Sequence, residues 1–435
     1  MSKICKLLLN KLFLGHWCNS KMHRIQRFCF TFSIKSITNL NVTKNDLLSA
    51  IDDLECFEQS TRILDRRKSF KYFQSQSLLI LILNIIQAFH FLFLSITDNQ
   101  TIIFYSGDFF VSSSERKVLN YIVHCGIIMP CMVKIYLLHH RQSYRKSFLN
   151  IFDEYKSCLQ ESNKKFSFSL KNEKLFRKSY YYLSIKLYKY FSIGVNIGFW
   201  LLHLTNIIYN YSTLQRFILQ MIHVIMLLVT YCPLLFSALW LLLMMAVVSF
   251  FTCNVIDSLK AECDELVSVG NYTCHHAESF FYKQSLLSNW IDCVNAQVAW
   301  IFTTIYLYGA FHNILIFFYV TQFTFDNLDV KLFLIFCNSL ILIVIYGNNY
   351  AWTLIGQKAS LLHRSIYRLS IDTGKSFNLK VALKKLQALE RLAARKMGIY
   401  IGNYIYVDNY YTLLLTLECG SLYFLFCTNI NRKNQ

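Results

Sequence analysis

The chain has 435 residues, of which 54% are hydrophobic and 16% aromatic but only 16% charged, too little charge for a soluble protein of this length. Its formal net charge of +19 does not mark a nucleic-acid-binding domain, because the basic residues sit in blocks between apolar runs, as in a polytopic membrane protein. Only two prolines and thirteen glycines interrupt it, so long helices are expected.

The chain opens with "KICKLLLNKLFLGHW", whose apolar run is broken by Asn10 and Lys11, with no clear small-residue cleavage site after it. It reads as part of a retained cytoplasmic N-terminal region, 1–77. The first apolar segment long enough to cross a bilayer follows at 78–97 and the second at 118–138. A basic connection, 139–190, leads to the third at 191–209. The fourth, 217–255, contains Pro233, a potential kink. The connection 256–292 precedes the fifth segment, 293–320, and the sixth follows at 330–356. The fourth to sixth exceed what a crossing needs, and their excess is expected to continue as helix beyond the bilayer. After a cytoplasmic stretch, 357–402, the seventh segment covers 403–427, within a final unit 403–435 that ends in a short tail. The expectation is an all-α membrane protein of seven transmembrane helices.

Charge orients them. Regions 1–77, 139–190, 256–292 and 357–402 carry thirteen, twelve, two and ten of the 44 Lys and Arg, which places them in the cytoplasm. The N-terminus is then inside and the C-terminus outside. A G-protein-coupled receptor topology, with the N-terminus outside, would export nearly all these cations. None of the fifteen cysteines falls in an outer loop, so free thiols are expected.

Within 377–398, "FNLKVALKKLQALERLAARKMG", the residues Leu379, Leu383, Leu386, Leu389 (or Ala388), Ala393 and Met397 share a helical face, with Gly398 as a C-cap. This is an amphipathic helix, either lying on the inner leaflet or contacting another subunit. Cys263, Cys274, His275 and His276 are metal-binding types, but their spacing fits no usual zinc site. No nucleotide-binding or catalytic motif is present, and neither a cofactor nor an enzymatic activity is expected.

In the last segment Asp408, Thr412, Thr416, Cys419, Tyr423 and Cys427 recur every three or four residues and form one stripe on a helix. Such a stripe is either a packing face or the lining of a pore. Glu418, an acid in mid-span, is costly there and points to a functional site. In the outer halves of spans two to six, His124, Trp200, His203, Asn206, His223, Tyr306, Tyr308, His312, Asn313 and Asn338 are polar or aromatic. They either hydrogen-bond between helices or line a ligand pocket.

The stretch "LYFLFCTNI", 422–430, resembles the signature of insect gustatory receptors: Thr-Tyr, five apolar residues, then Gln-Phe. Tyr423 matches the tyrosine and Phe424 to Thr428 the spacer. Asn429 stands for the glutamine, Leu422 for the threonine and Ile430 for the phenylalanine. Upstream, "GNYIYVDN" is similar to the family's approach to the last helix, with Asp408 the matching acid. The resemblance implies a plasma-membrane, ligand-gated, weakly selective cation channel of four subunits, homomeric or with other gustatory receptors, gated by a small-molecule tastant. It implies that the last helix lines the pore, with Asn429 and Ile430 near its outer mouth, that the first six helices enclose the ligand, and that the cytoplasmic ends of helices four to seven anchor the subunits. An odorant-receptor subunit of the same architecture is the alternative. A transporter is a more distant one, since no inverted repeat is visible.

The orientation makes a prediction. Four N-glycosylation sequons begin at Asn41, Asn99, Asn210 and Asn271, and only Asn99 and Asn210 fall outside. Glycosidase-sensitive mobility should be lost in Asn99→Gln or Asn210→Gln variants and unchanged in Asn41→Gln and Asn271→Gln. A glycan on Asn41 or Asn271 would invert the topology.

Overall fold

The computed structural model describes residues 70–108, 110–111, 115–139, 214–269, 274–322, 328–369, 379–394, 396–402 and 405–433, with Phe176 and Gly194 alone between 140 and 213. The third predicted span, with Trp200, His203 and Asn206, lies outside these residues, as do the sequons at Asn41, Asn210 and Asn271.

The elements are α1 (Phe70–Ile96), α2 (Gln100–Tyr105), α3 (Arg116–His139), α4 (Leu214–Val269), α5 (Cys274–Gln322), α6 (Leu328–Arg368), α7 (Leu379–Ala394), β1 (Tyr400–Ile401), β2 (Ile405–Tyr406) and α8 (Asn409–Lys433). Six of them, α1, α3, α4, α5, α6 and α8, are long and apolar enough to cross a membrane. These correspond to six of the seven predicted spans.

The long helices outrun any bilayer. At 56 residues α4 extends roughly 80 Å, against a hydrocarbon core of about 30 Å. It continues through Pro233, and α5 and α6 likewise run well past the predicted limits of their spans. Two apolar cores form along this length. One gathers α1, α3 and the early turns of α4 with the end of α5 and the start of α6, around Leu94, Ile127 and Leu234. The other joins the later part of α4 to α5, α6, α7 and the short strands, around Phe251, Phe302 and Trp352. Polar residues tie helices together where water is excluded. Asn84 of α1 donates to the Thr230 carbonyl of α4 at 2.9 Å, and the Thr230 hydroxyl donates to Gln87 at 3.0 Å.

The seventh predicted span needs correction. Residues 400–401 and 405–406 are strands, not helix: β1 and β2 pair antiparallel, Tyr400 opposite Tyr406 and Ile401 opposite Ile405. Gly402 turns the chain at φ +61°, a conformation that a side chain disfavours. The helix starts only at Asn409, because Asp408 caps it. The Asp408 carboxylate accepts from the Tyr411 amide at 2.8 Å, and its carbonyl accepts from the Thr412 amide at 3.0 Å. An apolar count alone merges the hairpin with the helix.

The hairpin is held from two sides. On α5, Asn295 is 1% exposed; its amide donates to the Gly398 carbonyl at 2.8 Å and accepts from the Tyr400 amide at 3.0 Å. On the other side, the Tyr406 ring occupies space left by two glycines. A Cβ on Gly398 would lie 2.6 Å from that ring, and one on Gly356 of α6 would collide with its hydroxyl.

The helix predicted over 377–398 is also shorter. It ends at Ala394, and Gly398 is a buried packing position rather than a C-cap. Val381 and Ala388 are buried against the rest of the chain, while Leu379, Leu383 and Leu386 of the predicted apolar face remain exposed on it. Cations brace this docking. Lys385 donates to the Leu369 carbonyl and to that of Tyr367, the latter at 3.3 Å, satisfying the C-terminal end of α6. Lys380 pairs with Glu278 of α5 at 3.0 Å. Burial pushes the Lys385 ammonium below its ordinary pKa.

Because Asn295 satisfies two buried backbone groups, Asn295→Ala should cost about 2–4 kcal/mol. The check is the unfolding midpoint of the detergent-solubilised protein. Ser360→Ala, on the exposed side of α6, should stay within about 0.5 kcal/mol of the wild type.

Candidate functional site

Three of the predicted pocket residues converge on one turn of α3. His124 contacts the Ala88 carbonyl of α1 at 2.7 Å. From α5, Tyr308 donates to the Cys125 carbonyl at 3.0 Å, and the His312 ring meets the Ile122 carbonyl at 3.2 Å. Tyr231 of α4 adds a bond to the Gly126 carbonyl at 3.4 Å. Four helices thus meet around residues 122–126 of α3. Asn313 of α5 and Asn338 of α6 are buried, and each has an amide oxygen without a hydrogen-bond partner. Acceptors left open in a buried place are where a ligand or water can bind.

His223 takes part in a different feature. Its ring stacks on His90 of α1, centroids 5.2 Å apart and planes within 5°. Both line a small cleft with Gln87, Phe91, Leu94 and Gly107. Gly107 has φ +70°, and a Cβ there would collide with the His223 ring, so glycine is required on both counts. Tyr306 sits apart from the others, in the second core. Its hydroxyl bonds to Asn349 and its ring packs 5.5 Å from Trp352.

Next to this region lies a buried ion pair that the pattern of apolar segments does not reveal. Arg116 opens α3 and meets Asp108 at 2.8 Å, the Asp108 side chain having no exposure. Arg116 also donates to the Leu94 and Thr97 carbonyls at the end of α1, and Asn120 donates to Asp108 at 3.1 Å. Gln220 of α4 reaches the Asp108 carbonyl at 3.4 Å. One guanidinium therefore ties the end of α1 to the start of α3. A signal was present in the sequence: "SGDFF" places a lone acid between aromatic and apolar residues in a short loop. Nearby, the Asn99 carboxamide caps α2 by accepting from Thr101 and Ile102 amides. A hydrogen bond from Lys117 holds the exposed Asp98 carboxyl below its ordinary pKa.

The last helix, α8, is the second part of the candidate site. The polar stripe faces α5 and α6 of the same chain. The Thr416 hydroxyl meets that of Tyr346 on α6 at 2.8 Å, and Tyr423 meets Thr321 and Gln322 of α5 at 3.0 and 3.2 Å. The Tyr423 ring lies 5.1 Å from Phe317. Thr412 bonds back to the Asp408 carbonyl at 3.1 Å, and Cys419 and Cys427 are half-buried along the same side. Asp408 is the helix cap just described. Glu418 is exposed, on a different side from the stripe. Leu413, Leu414, Leu417, Phe424 and Leu425 are exposed as well, and no residue of the crossing stretch Asn409–Thr428 is fully buried. The helix backbone continues through Asn429 and Ile430 to Lys433, but the side chains of those two lie outside the described residues.

Of the metal-binding types in the α4–α5 region, Cys263 is buried, whereas His275 and His276 are exposed at the start of α5. Among the described residues no three His, Cys, Asp or Glu side chains gather as metal ligands would.

No protein-family model and no curated protein matches the sequence. The fold is another matter. The chain is similar to the insect olfactory receptor OR5 from Machilis hrabei in complex with eugenol, with a TM-score of 0.62 and 11% identity, over 88% of this chain and 100% of that one. A second structure of the same receptor gives a TM-score of 0.61 and 12% identity, over 88% and 99%. The chain has the fold of an insect olfactory receptor.

Arg116→Leu should be severe, because it leaves Asp108 charged and buried without its partner, a loss of about 3–5 kcal/mol. Arg116→Leu combined with Asp108→Asn should recover part of that loss. The measurement is surface expression together with the unfolding midpoint of the purified protein.

Proposed function

We propose that the chain is a chemoreceptor subunit of the insect type: a plasma-membrane cation channel, weakly selective, opened by a small-molecule tastant and assembled from four subunits. The observation that carries this reading is the shared fold with an insect olfactory receptor over nearly the whole of both chains. Two features support it. The last helix carries a gustatory-type signature at Tyr423. That same helix packs on its own chain along one side only, leaving Glu418, Ser421 and Thr428 exposed. Lipid can cover exposed leucines, and Ser421 and Thr428 donate to carbonyls of their own helix, but an acid in a crossing segment calls for water or protein. A central pathway walled by four copies of α8 supplies both.

The expected gating route runs along α5. Tyr308 and His312 of α5 belong to the cluster around α3, and Thr321 and Gln322 of the same helix hold Tyr423 of α8. From His312 to Thr321 is about 14 Å of rigid helix. A ligand that binds one arrangement of the cluster better than the other shifts the population of α5 positions, and Tyr423 follows. Glu418 would favour cations by its field.

An odorant-receptor subunit is the second reading, favoured by the olfactory character of the structural neighbours. A panel containing both water-soluble tastants and volatile compounds separates the two.

The test is current recorded from cells expressing the chain and normalised to surface protein. Tyr423→Phe keeps the ring against Phe317 and loses only hydroxyl bonds, so its ligand response should stay within about threefold of wild type. Tyr423→Ala should abolish the response or raise basal current. Glu418→Gln should change relative cation permeability while leaving ligand sensitivity near normal. Wild-type behaviour in both Tyr423→Ala and Glu418→Gln would remove α8 from the conduction path.

A further inference from the structure

Far from the cluster on α3, α5 and α7 flank a second, open cleft with a cavity volume of about 120 Å³. Its α5 wall includes Tyr282, Gln284 and Ser285, and its α7 wall includes Lys384, Ala388 and Arg391. Along α5 it lies roughly 40 Å from Tyr308. On α7 the spacing of 384, 388 and 391 puts two cations on one stripe, with a methyl group between them. The short Ala388 side chain leaves the space that a larger residue would fill.

Gln284 has no protein partner for this environment. It is 1% exposed, yet neither its amide nitrogen nor its amide oxygen makes a hydrogen bond. Two unmet groups on one buried side chain are costly, and a bound polar molecule would meet them. The charge of the walls says which kind. Among the described residues no acid lines the cleft. The acid near Lys384 is Glu278, at 3.9 Å and already held by Lys380 at 3.0 Å.

We propose that this cleft binds a phosphate-bearing anion, its charge held between Lys384 and Arg391 while the Gln284 amide and Ser285 hydroxyl complete the hydrogen bonding. Two cations and neutral donors, with the neighbouring Glu278 held mainly by Lys380, are the chemistry of a phosphate site. The phosphate can belong to a soluble inositol phosphate or to a phosphoinositide headgroup. Position favours the soluble source. Gln284 lies about 14 Å along α5 before residue 293, where the fifth apolar segment is expected to begin, and a headgroup layer is only about 5–8 Å deep. The inference stands apart from the channel reading, because it is read by binding and not by current.

The experiment uses the full-length protein purified in detergent and inositol hexakisphosphate as the probe, with binding followed by calorimetry. Wild-type protein should bind in the micromolar range. Lys384→Gln and Arg391→Gln, both at the mouth and harmless to folding, should each weaken binding about tenfold. Ala388→Leu keeps every cation but fills the cleft, so it should weaken binding at least as much. Arg364→Gln, on an exposed part of α6, should bind as wild type. Displacement of the probe by phosphatidylinositol bisphosphate in mixed micelles would assign the site to a lipid headgroup, and its absence to a soluble phosphate. No binding by the wild type, or full binding by the Lys384, Arg391 and Ala388 variants, would overturn the proposal and leave Gln284 to water.

Discussion

The joint between α5, α6 and the hairpin is the constraint from which the rest of this structure follows. Asn295 fixes the backbone of the chain as it enters β1, and Gly356 and Gly398 make room for Tyr406 as it leaves β2. Asn295 and Gly356 act from different helices on a segment of only a few residues. The hairpin therefore cannot shift without disturbing both long helices, and α8 begins three residues after Tyr406. A crossing helix with no buried residue of its own needs such a fixed origin. Its direction is set at Asp408, whose carboxylate organises the first turn.

With its start fixed, α8 is held again further along, where Tyr423 meets Thr321 and Gln322, the last two residues of α5. One helix thus controls both ends of another: α5 supplies Asn295 near the start of α8 and Thr321 near its finish. The same helix carries Tyr308 and His312 into the polar cluster around α3. Rigid helices with discrete contacts at several depths are suited to passing a small displacement between distant places. The Arg116–Asp108 pair ties the end of α1 to the start of α3 beside that cluster.

Much of this architecture was legible in the sequence, because the bilayer writes long apolar runs and basic blocks that survive any detail of packing. Six helices appear where the apolar segments are, and the long ones continue as helix past the ends of those segments. The hairpin was not legible. "IYIGNYIYVD" is as apolar as a helix, and only Gly402 and Asp408 hint that the chain turns and restarts. On α7 the leucines Leu379, Leu383 and Leu386 of the predicted face stay exposed on this chain, while Val381 and Ala388 pack inward and Lys385 reaches the end of α6. In the candidate site, His124, Tyr308 and His312 come together as polar residues in spans should, whereas Tyr306 and His223 belong to other neighbourhoods. The Arg116–Asp108 pair crosses between a loop and a helix start, a contact that no periodicity encodes.

The stripe on α8 shows how one pattern can serve two purposes. Small and polar residues every three or four positions fit either a packing face or a pore lining, and in this chain Thr416 and Tyr423 make contacts with α6 and α5. The sides carrying Glu418, Ser421 and Thr428 remain for whatever surrounds the helix. Purified protein in a planar bilayer, under a cation gradient and exposed in turn to a panel of small molecules, addresses the central claim most directly. The account predicts discrete ligand-dependent openings whose reversal potential follows the cation gradient, with little discrimination among monovalent cations. Silence to every compound in correctly folded protein, or uptake of a compound against its gradient without such openings, would contradict it.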